Sequence, residues 1–217
     1  VQDLARMLVS MGARIEGAGT HTIRIEGVKK LMGTEYRVMP DPLEAGTFLV
    51  VGAVTKGRVE VEEVPFDCLD LFLEKLSQIG VRIERRDHSA FVDFCQNPKP
   101  SKVQALPHPG FSTDLLPIIM PLLTQADGKS LIHDPLYENR LSYVHQLRKM
   151  GADIEIVDPH RAFVFGKKEL FGENISSWDI RAGACLVIAG LMAEGKTELL
   201  DVYQIDRGYE RLSLIHI

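Results

Sequence analysis

Cysteine is scarce: three residues in 217 make no paired framework, which excludes a disulfide-stapled small domain and fits a reducing cytoplasm. Long apolar runs are missing as well. The longest, Leu115–Leu123 and Ala182–Ala193, are too short to span a bilayer or are interrupted, and no signal peptide opens the chain, so no membrane partner is expected. Nor is there an excess of positive charge. A formal net charge of −5 argues against a general nucleic-acid surface, and an anionic substrate needs a local arginine cluster working against the overall charge. No metal-ligand spacing, phosphate loop or GxSxG occurs, so neither a metal nor a cofactor is implied. What remains is an ordinary globular composition, 45% hydrophobic and 25% charged, with length for one or two domains.

The chain repeats internally. A helix-to-strand junction recurs as ARMLVSMGARIE (Ala5–Glu16), LEKLSQIGVRIE (Leu73–Glu84) and HQLRKMGADIE (His145–Glu155), with Gly12, Gly80 and Gly151 separated by 68 and 71 residues. A Gly-basic turn keeps the same phase: Gly57-Arg58, Gly128-Lys129 and Gly195-Lys196, separated by 71 and 67 residues. Two independent markers thus give one period. It exceeds the ~20–50 residues of solenoid repeats, so each copy is a whole supersecondary unit.

The unit is clearest from Gly110 to Gly166. An apolar run, Leu115–Thr124, is long enough for a buried helix; the Gly128-Lys129 turn and a strand, Ser130–His133, follow. A second helix carries Val144, Leu147 and Met150 on one face, Gly151 stands where a C-cap needs positive φ, and alternating strands Ala152–Val157 and Arg161–Phe165 close the unit. The pattern is helix, strand, helix, strand, strand. The first helix of each copy is apolar nearly all round, hence buried on all sides, whereas the second is amphipathic. Three such units closed around an axis put helices inside and sheets outside.

Taken in order, Val1–Gly27 reads as the tail of an earlier copy: helix Val1–Met11, then strands Arg14–Glu16 and Thr22–Glu26. A short strand within Val28–Met39 ends at Pro40, and Pro40-Asp41-Pro42 reads as a linker. The next copy has helix Leu43–Val54, strand Arg58–Val61, helix Cys68–Ile79 and strands Val81–Glu84 and Ala90–Phe94; strand Val103–Leu106 then leads into the central unit. The last copy has helix Ile180–Glu194 and strand Thr197–Leu200, reaches Asp206–Arg211, and is cut before its final strands. Because residue 1 is Val, entering directly on a helix pattern, and Ser213–Ile217 (SLIHI) stops abruptly, the chain reads as a fragment.

Chemistry is expected at the starts of the buried helices, each opening on acidic or small polar residues: Asp41 to Thr47, Thr113-Asp114, and Asp179 to Arg181. Helix capping explains such residues equally well. Asp114 has more against that explanation, because PHPGFSTD places two prolines, a glycine and a histidine before an otherwise buried helix; a carboxylate there can serve as a general base with burial setting its pKa. Arg140, Arg181 and Arg207 form a second group at turns and helix starts, as planar, permanently charged forks suited to phosphate or carboxylate. Local surface pairing, Glu138 with Arg140 and Asp206 with Arg207, is the alternative. Cys68, Cys95 and Cys185 read as core or surface thiols, His108 as structural, and His133-Asp134-Pro135 as a turn.

Five motifs in order, RVMPDPLEAGTFLVVGAVTKG, PHPGFSTDLLP, YENRLSYVHQLRKMGA, DIRAGACLVIAGLMAEG and IDRGYER, make the chain resemble the UDP-N-acetylglucosamine 1-carboxyvinyltransferases, a family of enolpyruvyl transferases, over Val1–Leu212. The resemblance implies an α/β (α+β) fold, an inverse α/β barrel of repeated helix-strand-helix-strand-strand units with pseudo-threefold symmetry. Residues 1–39 would end the first domain, and residues 40–217 would form a second domain truncated in its last repeat. The implied substrates are UDP-N-acetylglucosamine and phosphoenolpyruvate, with the N-terminal domain of the same chain as the missing partner. The resemblance implies that Asp114 takes the proton from the sugar 3-hydroxyl and that the backbone at Leu136 contacts the UDP-sugar. Arg140, Arg181 and Asp179 would face the cleft, and Arg207 would reach phosphoenolpyruvate on domain closure.

The family's cysteine loop matches none of the three cysteines, so the chain alone is expected to be inactive; SLIHI does not continue the family's helix after RGYER. Two other readings stand beside this one. A shikimate-pathway enolpyruvyl transferase would share the fold, and a non-catalytic repeat module would leave Asp114, Arg140 and Arg207 unconverged.

Overall fold

The computed structural model describes residues 1–210 and 212, so Arg211 and the SLIHI departure at Ser213–Ile217 lie outside the described residues. Two compact units divide it, Val1–Pro40 and Asp41–Ile217. In the first, α1 (Gln2–Ser10) leads through Gly12, at φ +97°, into an antiparallel pair, β1 (Arg14–Glu16) and β2 (Arg24–Glu26). The strand expected within Val28–Met39 is not there: residues 27–40 carry no regular structure. A strand requires a ladder partner, and this stretch is held instead by single bonds, Met32 N–H to the Met11 carbonyl (2.8 Å) and the Tyr36 hydroxyl to the Asp3 carboxylate (2.8 Å).

The second unit begins with α2 (Pro42–Val54), β3 (Arg58–Val61), α3 (Phe66–Ile79), β4 (Ile83–Arg85) and β5 (Ala90–Asp93). Then come β6 (Lys102–Gln104), a 3-10 turn (Thr113–Leu115), α4 (Leu116–Thr124), β7 (Gly128–His133), α5 (Val144–Lys149), β8 (Asp153–Asp158) and β9 (Arg161–Gly166). The last copy supplies β10 (Asn174–Ser176), α6 (Ile180–Met192), β11 (Glu198–Leu200) and α7 (Tyr203–Asp206). Pro42 opens α2 rather than lying in a linker, because a residue without an N–H loses nothing at the first helical position. Gly128 and Lys129 are likewise part of β7, with Gly128 paired to Gly166, rather than a turn before it.

Sheet topology shows the repeat directly. The first sheet has order β3-β5-β4, and the same connectivity recurs as β7-β9-β8, with the last strand inserted antiparallel between the other two. β6 adds a parallel strand beside β7 across α4, and β10 pairs with β11 in the same way across α6. The second helix of each copy ends on a glycine in the left-handed region: Gly12, Gly80 and Gly151 have φ of +97°, +107° and +99°.

The three first helices pack on one another pairwise, α2 with α4, α2 with α6 and α4 with α6. Each is apolar around its circumference, and Leu49, Val50, Ile118, Ile119, Met120, Cys185 and Ile188 are wholly buried. The amphipathic α3 turns only Leu69, Phe72, Leu73, Leu76 and Ile79 inward. Cys95 and Cys185 are buried and Cys68 is exposed, all as free thiols. No helix among the described residues is long and apolar enough to cross a membrane.

Ile119→Ala leaves a cavity amid three helices and is expected to cost ~2–5 kcal/mol in urea unfolding, against under ~0.5 kcal/mol for Leu200→Ala at the half-exposed edge of β11. Equal costs would mean that the three-helix contact is not the core.

Candidate active site

All three buried helices begin near an aspartate, and the three carboxylates are spent differently. Asp41 caps α2, its Oδ1 accepting the Leu43 N–H at 2.7 Å. Asp179 caps α6, its Oδ1 accepting the amides of Arg181 (2.9 Å) and Ala182 (3.1 Å). In the middle copy the cap is Ser112, whose hydroxyl oxygen accepts the Asp114 N–H at 3.3 Å. The Asp114 carboxylate is therefore free of helix duty.

It is taken up by arginine. Oδ1 of Asp114 accepts Nη1 of Arg140 at 2.9 Å and Nη1 of Arg181 at 2.8 Å, with both arginine side chains only 21% exposed. Arg181 also grips its own cap residue, Nε to Asp179 Oδ1 at 2.9 Å and Nη2 to Asp179 Oδ2. Arg140 lies over the Tyr137 ring, 3.9 Å from its centroid, a cation–π contact that fixes the plane of the fork. No hydrogen bond among the described residues occupies Oδ2 of Asp114. Burial holds the Asp114 carboxyl above the usual carboxylate range; Arg140 pulls it down, and the neighbouring Asp179 and Asp134 push it further up. A carboxylate raised above its usual range, with one oxygen clamped and no hydrogen bond to the other among the described residues, suits a general base.

The helix starts converge. Tyr209 is pushed up to about 12, chiefly by burial, with Asp41, Glu44 and Asp114 all adding to the rise, so the heads of α2 and α4 share one end of the bundle. The Tyr209 hydroxyl meets the buried Thr47 hydroxyl of α2 at 3.0 Å, and the Glu210 N–H donates to Glu44 at 3.2 Å.

Of the sequence-derived candidates, the structure brings Asp114, Arg140, Arg181 and Asp179 into one contact network. Arg207 is outside it: exposed, bonded to Gln204 at 3.1 Å and stacked loosely on Tyr203. The local pairings considered from sequence do not form, since Arg140 reaches Asp114 rather than Glu138 and Arg207 reaches Gln204 rather than Asp206. Leu136 sits 37% exposed on the loop between β7 and α5, with its N–H donated to Asp134 Oδ1 at 3.1 Å. No hydrogen bond among the described residues takes its carbonyl.

Sequence reasoning missed Asp134, buried to 2%, which accepts the Thr113 hydroxyl on Oδ2. It also missed Tyr209. Among the described residues no cluster could hold a metal. A cavity of about 470 Å³ opens at the opposite, C-terminal ends of the three helices, among Val54, Leu122, Met192 and Lys56, and contains none of these groups.

A family model described as EPSP synthase (3-phosphoshikimate 1-carboxyvinyltransferase) matches residues 1–213. The chain belongs to this family. It is a family of carboxyvinyl, or enolpyruvyl, transferases. A UDP-N-acetylglucosamine 1-carboxyvinyltransferase 1 of Caldanaerobacter subterraneus subsp. tengcongensis is 45% identical over 212 residues, covering 98% of this chain and 51% of that protein. A UDP-N-acetylglucosamine 1-carboxyvinyltransferase of Halothermothrix orenii is 44% identical over 210 residues, 97% of this chain and 50% of its own length. The chain thus spans about half the length of the curated relatives it matches. The crystal structure of the enolpyruvyl transferase NikO from Streptomyces tendae superposes with a TM-score of 0.87 at 25% identity, covering 95% of this chain and 50% of that one. An EPSP synthase structure from Acinetobacter baumannii, at 21% identity and a TM-score of 0.71, shares the fold.

The raised Asp114 carboxyl binds its proton more tightly folded than unfolded, so its contribution favours the fold below the unfolded value of ~3.9 and is lost as pH rises through the folded value. Wild type is accordingly expected to gain stability relative to Asp114→Asn as the pH is lowered from 7 to 4, measured as urea midpoints. The opposite slope would mean that the arginines outweigh burial.

Proposed function

We propose that this chain is the C-terminal half of a UDP-N-acetylglucosamine 1-carboxyvinyltransferase, acting at the first committed step of peptidoglycan precursor synthesis in the cytoplasm. On this reading residues 1–39 end the first domain. Residues 40–217 form most of the second, an inverse α/β barrel about a pseudo-threefold axis. The observation that carries the reading is the Asp114 carboxylate, held through one oxygen by Arg140 and Arg181, with no hydrogen bond to the other among the described residues. The names of the relatives supply the acceptor.

Asp114 Oδ2 takes the proton of the sugar 3-hydroxyl as that oxygen attacks C2 of phosphoenolpyruvate, while the methylene carbon gains a proton from an acid outside these residues. The tetrahedral adduct then loses a methyl proton and expels phosphate, leaving the enolpyruvyl ether. Arg140 works against the rise of the Asp114 carboxyl, Arg140 and Arg181 together aim it, and both offer positive charge along the anionic path. Arg207, exposed and held only by Gln204 and Tyr203 among the described residues, is suited to close on the carboxylate or phosphate of phosphoenolpyruvate when the two domains approach. The Leu136 carbonyl contacts the UDP-sugar.

The complete protein is expected to release phosphate from phosphoenolpyruvate with UDP-N-acetylglucosamine as acceptor and none with shikimate 3-phosphate; the reverse would establish the shikimate-pathway reading. This chain alone should show no turnover, and product from it would overturn the two-domain assignment. In the complete protein, Asp114→Asn should lower kcat by about 10²–10⁴ with little change in the KM for the sugar, as loss of a general base does.

A further inference from the structure

Asp134 lies in what sequence alone presents as a turn, yet it is 2% exposed and makes four tethers. Its Oδ2 accepts the hydroxyl of Thr113, the residue preceding Asp114. Its Oδ1 accepts the Leu136 N–H at 3.1 Å, bending the loop that carries Leu136, Tyr137 and Arg140. Its own N–H donates to the His160 carbonyl at 2.8 Å, and its carbonyl lies 2.8 Å from His160 Nδ1, pinning it to the turn between β8 and β9. A carboxylate this buried survives only where hydrogen bonds repay its desolvation, and both oxygens here hold donors from the two segments that form the site.

We propose that Asp134 is the positioning residue of the site, coupling the Thr113-Asp114 turn to the Leu136–Arg140 loop so that base and guanidinium keep one geometry. Resting on the reading above, it deepens that reading by adding a residue that touches no substrate. Its charge also acts on Asp114, which is faced by Arg140 on the loop, Arg181 and Asp179 at the head of α6, Asp134 itself, and Tyr209 beyond α7. Removing the Asp134 charge takes away one of the influences that hold Asp114 up, so the acid limb of a rate profile governed by Asp114 should move to lower pH.

The test uses the complete protein, with UDP-N-acetylglucosamine varied through and below its KM at a fixed, saturating concentration of phosphoenolpyruvate. Asp134→Asn should lower kcat/KM by about 10–100-fold and shift the acid limb downward, since a misplacement near 1 Å costs on that order. Thr113→Val removes the hydroxyl without the charge; it should lower kcat/KM with no downward shift. Asp134→Glu should recover part of the rate. Wild-type rates and acid limbs in both Asp134→Asn and Thr113→Val overturn the proposal, as does a loss in Asp134→Asn alone with its acid limb unmoved. If Asp134→Asn does not fold, Thr113→Val decides: lost rate at wild-type Tm supports the coupling, and wild-type rate overturns it. A wild-type protein that uses another acceptor alcohol defeats the functional reading only, and the variants are then compared on that acceptor.

Discussion

A helix that is apolar on every face can offer polar groups only at its ends. That constraint organises the second unit. α2, α4 and α6 are buried against one another, with Leu49, Ile119 and Ile188 wholly removed from water. Any chemistry the bundle performs is forced to its two mouths. The N-terminal mouth gathers carboxylates and the arginines that answer them; the C-terminal mouth has a cavity but no comparable network. Unsatisfied helix N–H groups at the first mouth also need acceptors, which is why Asp41, Ser112 and Asp179 stand where they do.

The energetics at that mouth are balanced rather than stabilising. Half-burial of Asp114 disfavours its charge, and Asp179 and Asp134 add to the penalty, while the Arg140 guanidinium works against them. Two cations against three carboxylates leave the cluster short of positive charge. Arg207 is not part of that balance, being bonded to Gln204. Both arginines are held on one oxygen, which orients the carboxylate, and no hydrogen bond among the described residues takes the second.

Much of this was legible from residues alone. The period carried by Gly12, Gly80 and Gly151 predicts three left-handed caps, and all three are there. Runs such as Leu115–Thr124 announce burial without any partner being known. Two kinds of information stayed hidden. Short elements, β10 and α7, have too few residues for a period to register, and the strand expected before Pro40 failed because strand formation depends on a partner that local sequence does not name. Long-range satisfaction was also invisible. Nothing in His133-Asp134-Pro135 says that Thr113, 21 residues earlier, will donate to that carboxylate. Nothing in the charged string DRGYER says that Tyr209 will meet Thr47, 162 residues away in sequence.

Repetition shows how one carboxylate of the three is left without a helix to cap. Each copy places an aspartate at the head of its inner helix, where the exposed amides favour it. In the outer two copies the first amides of the helix bind that aspartate, at Leu43 and at Arg181 and Ala182, so Asp41 and Asp179 are structural by occupation. The middle copy interposes a 3-10 turn and hands the cap to Ser112, which frees Asp114 from the backbone without moving it away from the mouth. Arg181 then bridges the two kinds of aspartate, bonded at once to the cap of its own helix and to the freed carboxylate of the next. An interposed 3-10 turn and its capping serine therefore separate the copy whose carboxylate reaches arginine from the two whose carboxylates cap their own helices.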